Sequence, residues 1–296
     1  MQVPFKLQEL EEWRDRILDF SNGLMESLES LAAPRITMIH ATFDDVGKRH
    51  EDGMCAVVGW VAYREQWNTF NWQWMKVLEQ HGLGYLHTAE FLNKFPVIGD
   101  APLSDDEVYR ILQPFTDVIH GNITVSGNRG FGVCVITECA AYDALDADEK
   151  RVIKKPELHS FEMAVGLAFR YIRDELHGNN LMALQFDESE DAARLYSCYK
   201  QLKEKNPTLR NFMSGICFVD DKKHPPMQAA DLLGNLTLKG WRRWKRDGEL
   251  PAALRNLVYP KASGQTLTCI VYNLERLKTL AKMRIERKTT VDSEEG

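Results

Sequence analysis

The feature that most constrains the fold is a change of hydrophobic period early in the chain. Residues 36–43, ITMIHATF, alternate and are rich in β-branched side chains, which is the pattern of a strand. A polar stretch, DDVGKRHEDG at 44–53, forms a connector closed by Asp52-Gly53. The next run, MCAVVGWVAY at 54–63, is apolar throughout and fits a strand buried on both faces. From Glu65 to Gln80 the period becomes helical. Trp67, Phe70, Trp74, Val77 and Leu78 fall on one stripe, and Gly82 and Gly84 supply the stop.

Further along, residues 85–91 (YLHTAEF) read as a short extended segment and 105–119 as a helix. Asn122–Ser126 with Phe131–Thr137 suggest a hairpin around Gly127–Gly130. A helix at about 159–176 precedes the strand LMALQF (181–186), a polar helix at about 190–205 and the short strand ICFV (216–219). A last long helix begins at Pro225-Pro226, where proline is tolerated in the first turn, and runs to about Lys245. Antiparallel strands first and alternating elements later imply an α/β fold, a mixed sheet with helices on its faces. Ahead of it, residues 6–31 carry apolar positions at helical spacing, so 1–35 is expected to be a helical extension to a domain spanning 36–285. The polar segment 286–296 is expected to be a disordered tail.

Composition narrows the classes. The 296 residues are 44% hydrophobic and 27% charged, enough for one sizeable core. A net charge of -6 provides no global positive field for avid non-specific DNA binding, though it leaves room for a local basic groove. No stretch approaches the roughly 20 apolar residues of a membrane span. The first residues carry charges throughout and lack the apolar core of a secretory signal. Six dispersed cysteines without a CxxC pair read as free thiols. A cytoplasmic location is the resulting expectation.

Several acidic residues interrupt apolar segments. Asp44 and Asp45 follow Phe43, Glu90 lies between Ala89 and Phe91, Asp187 follows LMALQF, and Asp231 sits inside MQAADLLGNL. Carboxylates are seldom buried without a partner or a cation. Each also has a plain structural explanation: turn residues for Asp44 and Asp45, a solvated loop for Glu90, a helix cap for Asp187. Asp231 resists one. Gln228, Asp231 and Asn235 share a helix face between apolar neighbours, so they should meet another polar group. Strand ends in α/β sheets gather at one edge, where sites form.

FDDVG after the first strand, LHTAEF after the first long helix, FDES after a buried strand and MQAADLLGN in the last helix together resemble the family known as domain of unknown function 3800. The resemblance covers about residues 36–245. Gln228, Ala230, Asp231 and Leu232 match its late Gln-x-Ala-Asp-Leu signature. Asp44, Asp45 and Gly47 match its early one, with Val46 where the family usually has serine. The resemblance implies a ribonuclease H-like fold and a metal-dependent, nuclease-like site. On it, Asp44, Glu90, Asp187 and Asp231 are the expected catalytic ligands of Mg2+ or Mn2+, since carboxylates are hard oxygen donors suited to such ions. Asp45, His87, Glu188, Asp221, His224 and Gln228 are auxiliary candidates. Asp220, Lys222 and Lys223 are weaker ones. In KGWRRWKR (239–246), Lys239, Arg242, Arg243 and Arg246 are candidate phosphate contacts for a nucleic-acid partner, although cations also favour helix C-termini through the dipole. The activity expected is phosphodiester hydrolysis. The alternatives are a catalytically weak nucleic-acid-binding or protein-interaction module on the same fold, and a hydrolase of small phosphoesters.

Overall fold

The computed structural model describes residues 37–47, 49–94, 103–124, 130–175, 180–188, 191–248 and 267–294. The expected helical extension at 1–35 lies outside them. Six strands form one sheet: β1 (Thr37–Val46), β2 (Met54–Tyr63), β3 (Phe131–Glu138), β4 (Asn180–Asp187), β5 (Met213–Val219) and β6 (Leu267–Tyr272), in the order β5-β4-β1-β2-β3-β6. β2 pairs antiparallel with both β1 and β3, whereas β1–β4, β4–β5 and β3–β6 are parallel. β2 therefore runs against the other five. The chain is an α/β protein with a mixed sheet flanked by helices.

The main helices are α1 (Arg64–Gln80), α2 (Thr88–Leu92), α3 (Asp105–Ile119), α4 (Pro156–Glu175), α5 (Ala192–Lys205), α6 (Pro225–Asp247) and α7 (Leu274–Glu294). The sheet separates two cores. On one side Phe43, Val57, Val135, Leu184 and Phe186 pack against Phe161, Val165 and Ile172 of α4. On the other, Val58, Trp60 and Ile136 pack against α1, α3 and α6 through Phe70, Trp74, Phe115, Leu232 and Leu236. The apolar stripe of α1 is buried at all five positions, each large side chain contributing about 1.5–3 kcal/mol. β2 is buried on both faces as its composition demands.

Four local expectations are corrected. β1 continues through Asp44, Asp45 and Val46, which pair with Val58, Val57 and Ala56, so the two aspartates lie in the strand and not in a connector. The turn that follows needs Gly47: its φ is +83°, and a Cβ there would sit 2.8 Å from the Met54 carbonyl oxygen. Residues 88–92 are a helical turn, not extended. His120–Thr124 form a π-helical turn where a hairpin strand is expected, because β3 finds its partners in β2 and β6. The backbone is helical to Glu294, through most of the segment expected to be a disordered tail. β6 was not anticipated by the sequence pattern. Among the described residues no helix is long and apolar enough to cross a membrane.

Candidate functional site

Pleat alternation sorts the acidic residues. Ile39, Ala41 and Phe43 face the α4 core, so Asp44 projects to the other side, towards α6. Phe43 is the register partner of Phe186 on parallel β4, which places Asp44 beside Asp187 on the same face. Asp45 points the opposite way and lines a small cavity with Asp191 and Arg194. Above Asp44, α6 comes unusually close to the sheet at Gly234. A Cβ there would lie 2.5 Å from Val46 Cγ2 and 3.3 Å from Asp44 Oδ2.

That contact yields a direct test. Gly234→Ala adds about 1 kcal/mol of helix propensity but must push Val46 aside, at about 1–3 kcal/mol. The variant is expected to unfold at lower urea concentration than the wild type, and Val46→Ala in the same chain to recover most of the loss. A more stable Gly234→Ala variant would show that the close approach constrains nothing.

Asp231 is half-buried on α6, three residues before Gly234. Its Oδ2 accepts the Thr88 N–H at 2.7 Å. Gln228, 1% exposed, fixes the surrounding segments. Its Oε1 accepts from Trp74 Nε1 (2.9 Å) and from the Leu86 N–H (3.0 Å). Its Nε2 donates to the carbonyls of Asp221 (3.0 Å) and Lys222 (3.3 Å). One side chain thus holds α1, the approach to α2 and the 221–223 turn against α6, and it has no capacity left for a ligand.

Three carboxylates from distant parts of the chain therefore meet in one electrostatic environment. Burial and then the charges of Asp231, Asp45 and Asp187 push the Asp44 carboxyl well above its usual range. The Asp187 carboxyl is pushed up to about 6, by burial and then by Asp221, with the backbone of Glu188 and Asp221 pulling the other way. Asp231 is raised by burial, against the pull of the Thr88 N–H and of His87. Among the described residues no salt bridge joins any of the three to Lys or Arg. Asn235, one turn beyond Asp231, has a buried Oδ1 without a hydrogen-bond partner among the described residues. Hard oxygen donors with uncompensated charge are the chemistry that suits a divalent cation. Among the described residues, though, no three His, Cys, Asp or Glu side chains are already drawn into a ligand shell.

The remaining candidates are placed as follows. Glu90 stands apart from the three: its side chain is 61% exposed, 3.7 Å from His87 Nδ1 and 3.4 Å from the Tyr85 hydroxyl. Glu90, His87, Tyr85 and Lys94 line a cleft of about 170 Å³ on the Asp231 side. Asp221 joins the carboxylate group through its influence on Asp187, a role that the sequence suggests only weakly. Glu188 is exposed at the end of β4, its N–H bonded to the Val219 carbonyl. Asp220 is ion-paired with Lys223, while Lys222 lies over the Tyr85 ring.

His224 Nε2 donates to Gln185 Oε1 (3.0 Å), which also accepts from the Thr42 hydroxyl (2.8 Å). Burial and the neighbouring His40 lower His224 to about 4, so its ring is neutral near pH 7. This buried chain, absent from the sequence reading, floors the site: Thr42 and Gln185 lie two residues before Asp44 and Asp187 on the same strand faces.

The basic segment sits farther along α6. Arg242 is eleven residues past Asp231, about 16 Å at 1.5 Å per residue. Its cations face acidic partners: Arg242 pairs with Asp52, Lys245 with Glu138, and Arg243 and Arg246 with Asp247. Burial and Arg242 lower the Lys239 ammonium. No protein-family model matches the chain, and no curated protein matches its sequence.

Proposed function

We propose that this chain is a metal-dependent phosphodiester hydrolase of the nuclease kind, on a ribonuclease H-like fold within the family known as domain of unknown function 3800. The observation that carries the reading is the convergence of Asp44, Asp187 and Asp231, from β1, β4 and α6, on one face of the sheet. The strand order 3-2-1-4-5 with only strand 2 reversed supports the fold assignment. The match of Asp44, Gly47, Gln228 and Asp231 to the signatures, each at a position with a physical role, supports the family.

Asp44, Asp187 and Asp231 would hold Mg2+ or Mn2+ through carboxylate oxygens, with Asp221 and the Asn235 amide oxygen at the margin. When bound, the ion supplies a Lewis acid that activates water and offsets charge on the phosphoryl oxygens. Gly234 lets the helix carboxylate approach the strand carboxylates. Gln228 sets the distance between the Thr88 and Asp221 sides. His87, whose Nδ1 lacks a hydrogen-bond partner among the described residues, lies between Asp231 and Glu90, where it can pass a proton between water and the cleft. Lys222 and Lys94 border the entrance where a phosphodiester would arrive. The ion pairs of the 239–246 segment favour substrate contact at this cleft over a track along the end of α6.

Calorimetric titration of Mn2+ tests the reading. The wild type is expected to bind, and Asp231→Asn to bind about 100-fold more weakly or not at all. Manganese-dependent cleavage of single- and double-stranded oligonucleotides should be lost in parallel. Equal binding by both proteins would remove Asp231 from the site. Binding without cleavage of any nucleic acid or small phosphodiester would favour the catalytically weak module.

A further inference from the structure

At the opposite end of the sheet lies a thiol pair that the proposed hydrolytic site does not use. Cys134 on β3 and Cys269 on β6 are register partners on neighbouring parallel strands, with their sulfurs 3.3 Å apart. Cys269 is exposed, whereas Cys134 is 1% exposed and faces Thr237 of α6. A disulfide requires sulfurs at about 2.05 Å and Cα atoms within about 4.4–6.8 Å. Neighbouring strands lie about 4.8 Å apart, so the sulfurs can close with a small adjustment. Among the described residues β6 lies at the edge of the sheet, beside β3.

We propose that Cys269 is an oxidation site for hydroperoxides and that Cys134 resolves the product into an intrachain disulfide joining β3 to β6. The Cys269 thiolate attacks one peroxide oxygen. An S–O bond forms, the O–O bond breaks, and the departing alkoxide or hydroxide takes a proton from water. The resulting sulfenic acid is attacked by Cys134, which gives up its proton. The S–S bond forms, the S–O bond breaks, and hydroxide leaves as water. In sum, two thiols lose two electrons and the peroxide is reduced to an alcohol, or to water, plus water.

The surroundings divide the roles between the two thiols. The Cys134 contact and the Arg276 guanidinium hold the Cys269 thiol below its usual value against the effect of burial. The same contact, with burial, keeps Cys134 well above its own. Cys269, the residue of the pair that reaches the surface, is thus the nucleophile, and the buried Cys134 stays protonated until needed. A second pair provides an internal comparison. Cys55 and Cys139 lie 3.7 Å apart, but both are buried and burial raises both thiols, so peroxide should not reach them first.

The full-length protein, reduced and then treated with equimolar hydrogen peroxide, is expected to lose two of its six titratable thiols in denaturant. Peptide mapping should find Cys134 linked to Cys269, and dithiothreitol should restore both. Cys134→Ser is expected to stop at the sulfenic acid of Cys269, captured by dimedone. Cys269→Ser should keep its remaining thiols at the same dose. Cys134→Ala serves if the serine variant fails a circular dichroism check of folding. A Cys55–Cys139 link forming first, or Cys269→Ser oxidising as fast as the wild type, would overturn the assignment. So would retention of all six thiols in the wild type.

Discussion

Asp44→Asn is expected to make the metal-free protein more stable while abolishing its response to divalent cations. Asp44 is held against Asp231 and Asp187 under the close approach of α6 at Gly234, and its carboxyl is raised well above the ordinary range. A raised acid is a cost at neutral pH: the unfolded chain ionises freely, the folded one only against burial and three like charges. The amide removes the charge and keeps the shape. In chelator at pH 7.5 its melting temperature should rise by about 2–4 °C, corresponding to about 1 kcal/mol. Saturating Mn2+ should raise the wild type instead, by about 2.7 kcal/mol at a hundredfold excess over Kd, and leave Asp44→Asn unmoved. A variant less stable than the wild type in chelator would mean that the carboxylate already has a stabilising partner and that the repulsion argument is wrong.

The second large effect lies on the other face of the sheet, at His159. Its ring is 0% exposed, packs edge-on against Tyr272 with centroids 4.7 Å apart, and has no hydrogen-bond partner at either nitrogen among the described residues. Burial, and then the charges of Arg284 and Lys154, lower it to about 3 from an ordinary 6.5. Because the folded value is the lower one, the unfolded chain takes up the proton first. The contribution of the neutral ring is complete above about pH 6.5 and is lost as pH falls towards 3. At about 1.36 kcal/mol per unit, the loss reaches about 3 kcal/mol by pH 4. His159→Phe keeps the ring and removes the proton site. Urea midpoints measured from pH 7 to pH 4 should fall steeply for the wild type and clearly less for the variant. His224 adds a shallower dependence of the same sign, and Asp187, raised to about 6, one of opposite sign between about pH 4 and 6. Only the difference between the two proteins isolates His159, and parallel curves would mean that its ring is protonated without cost.

Much of the fold could be read from hydrophobic period, because β2, α1 and α3 declare themselves by burial of whole faces. What resisted was decided by partners far away in the chain. Asp44 and Asp45 look like strand breakers, yet they pair with Val58 and Val57 and continue β1. β3 looks like half of a local hairpin, but its partners are β2 and β6. The candidate residues Asp44, Asp187 and Asp231 stand out in the sequence because charge interrupts apolar runs there. The opposite orientation of Asp45 could have been deduced from pleat alternation alone. The position of Glu90 in the neighbouring cleft could not, because it depends on a five-residue helical turn. Nor could the links from Gln185 to Thr42 and His224, which join residues 143 and 39 positions apart.

The four hydrogen bonds of Gln228 also bear on the order in which the molecule assembles. Two of them tie residue 228 to positions 154 and 142 residues earlier, so neither can form until α6 has been synthesised. A chain still emerging from the ribosome can pair β1 with β2, and later with β4, long before α6 exists. During that interval Asp44 and Asp187 lie on a sheet face that α6 does not yet cover, and Asp231, the Thr88 anchor and the 221–223 turn reach them together when one glutamine docks. The candidate centre is therefore acquired in a single late event, and a chain truncated before residue 228 would retain several strands of the sheet but lack the centre.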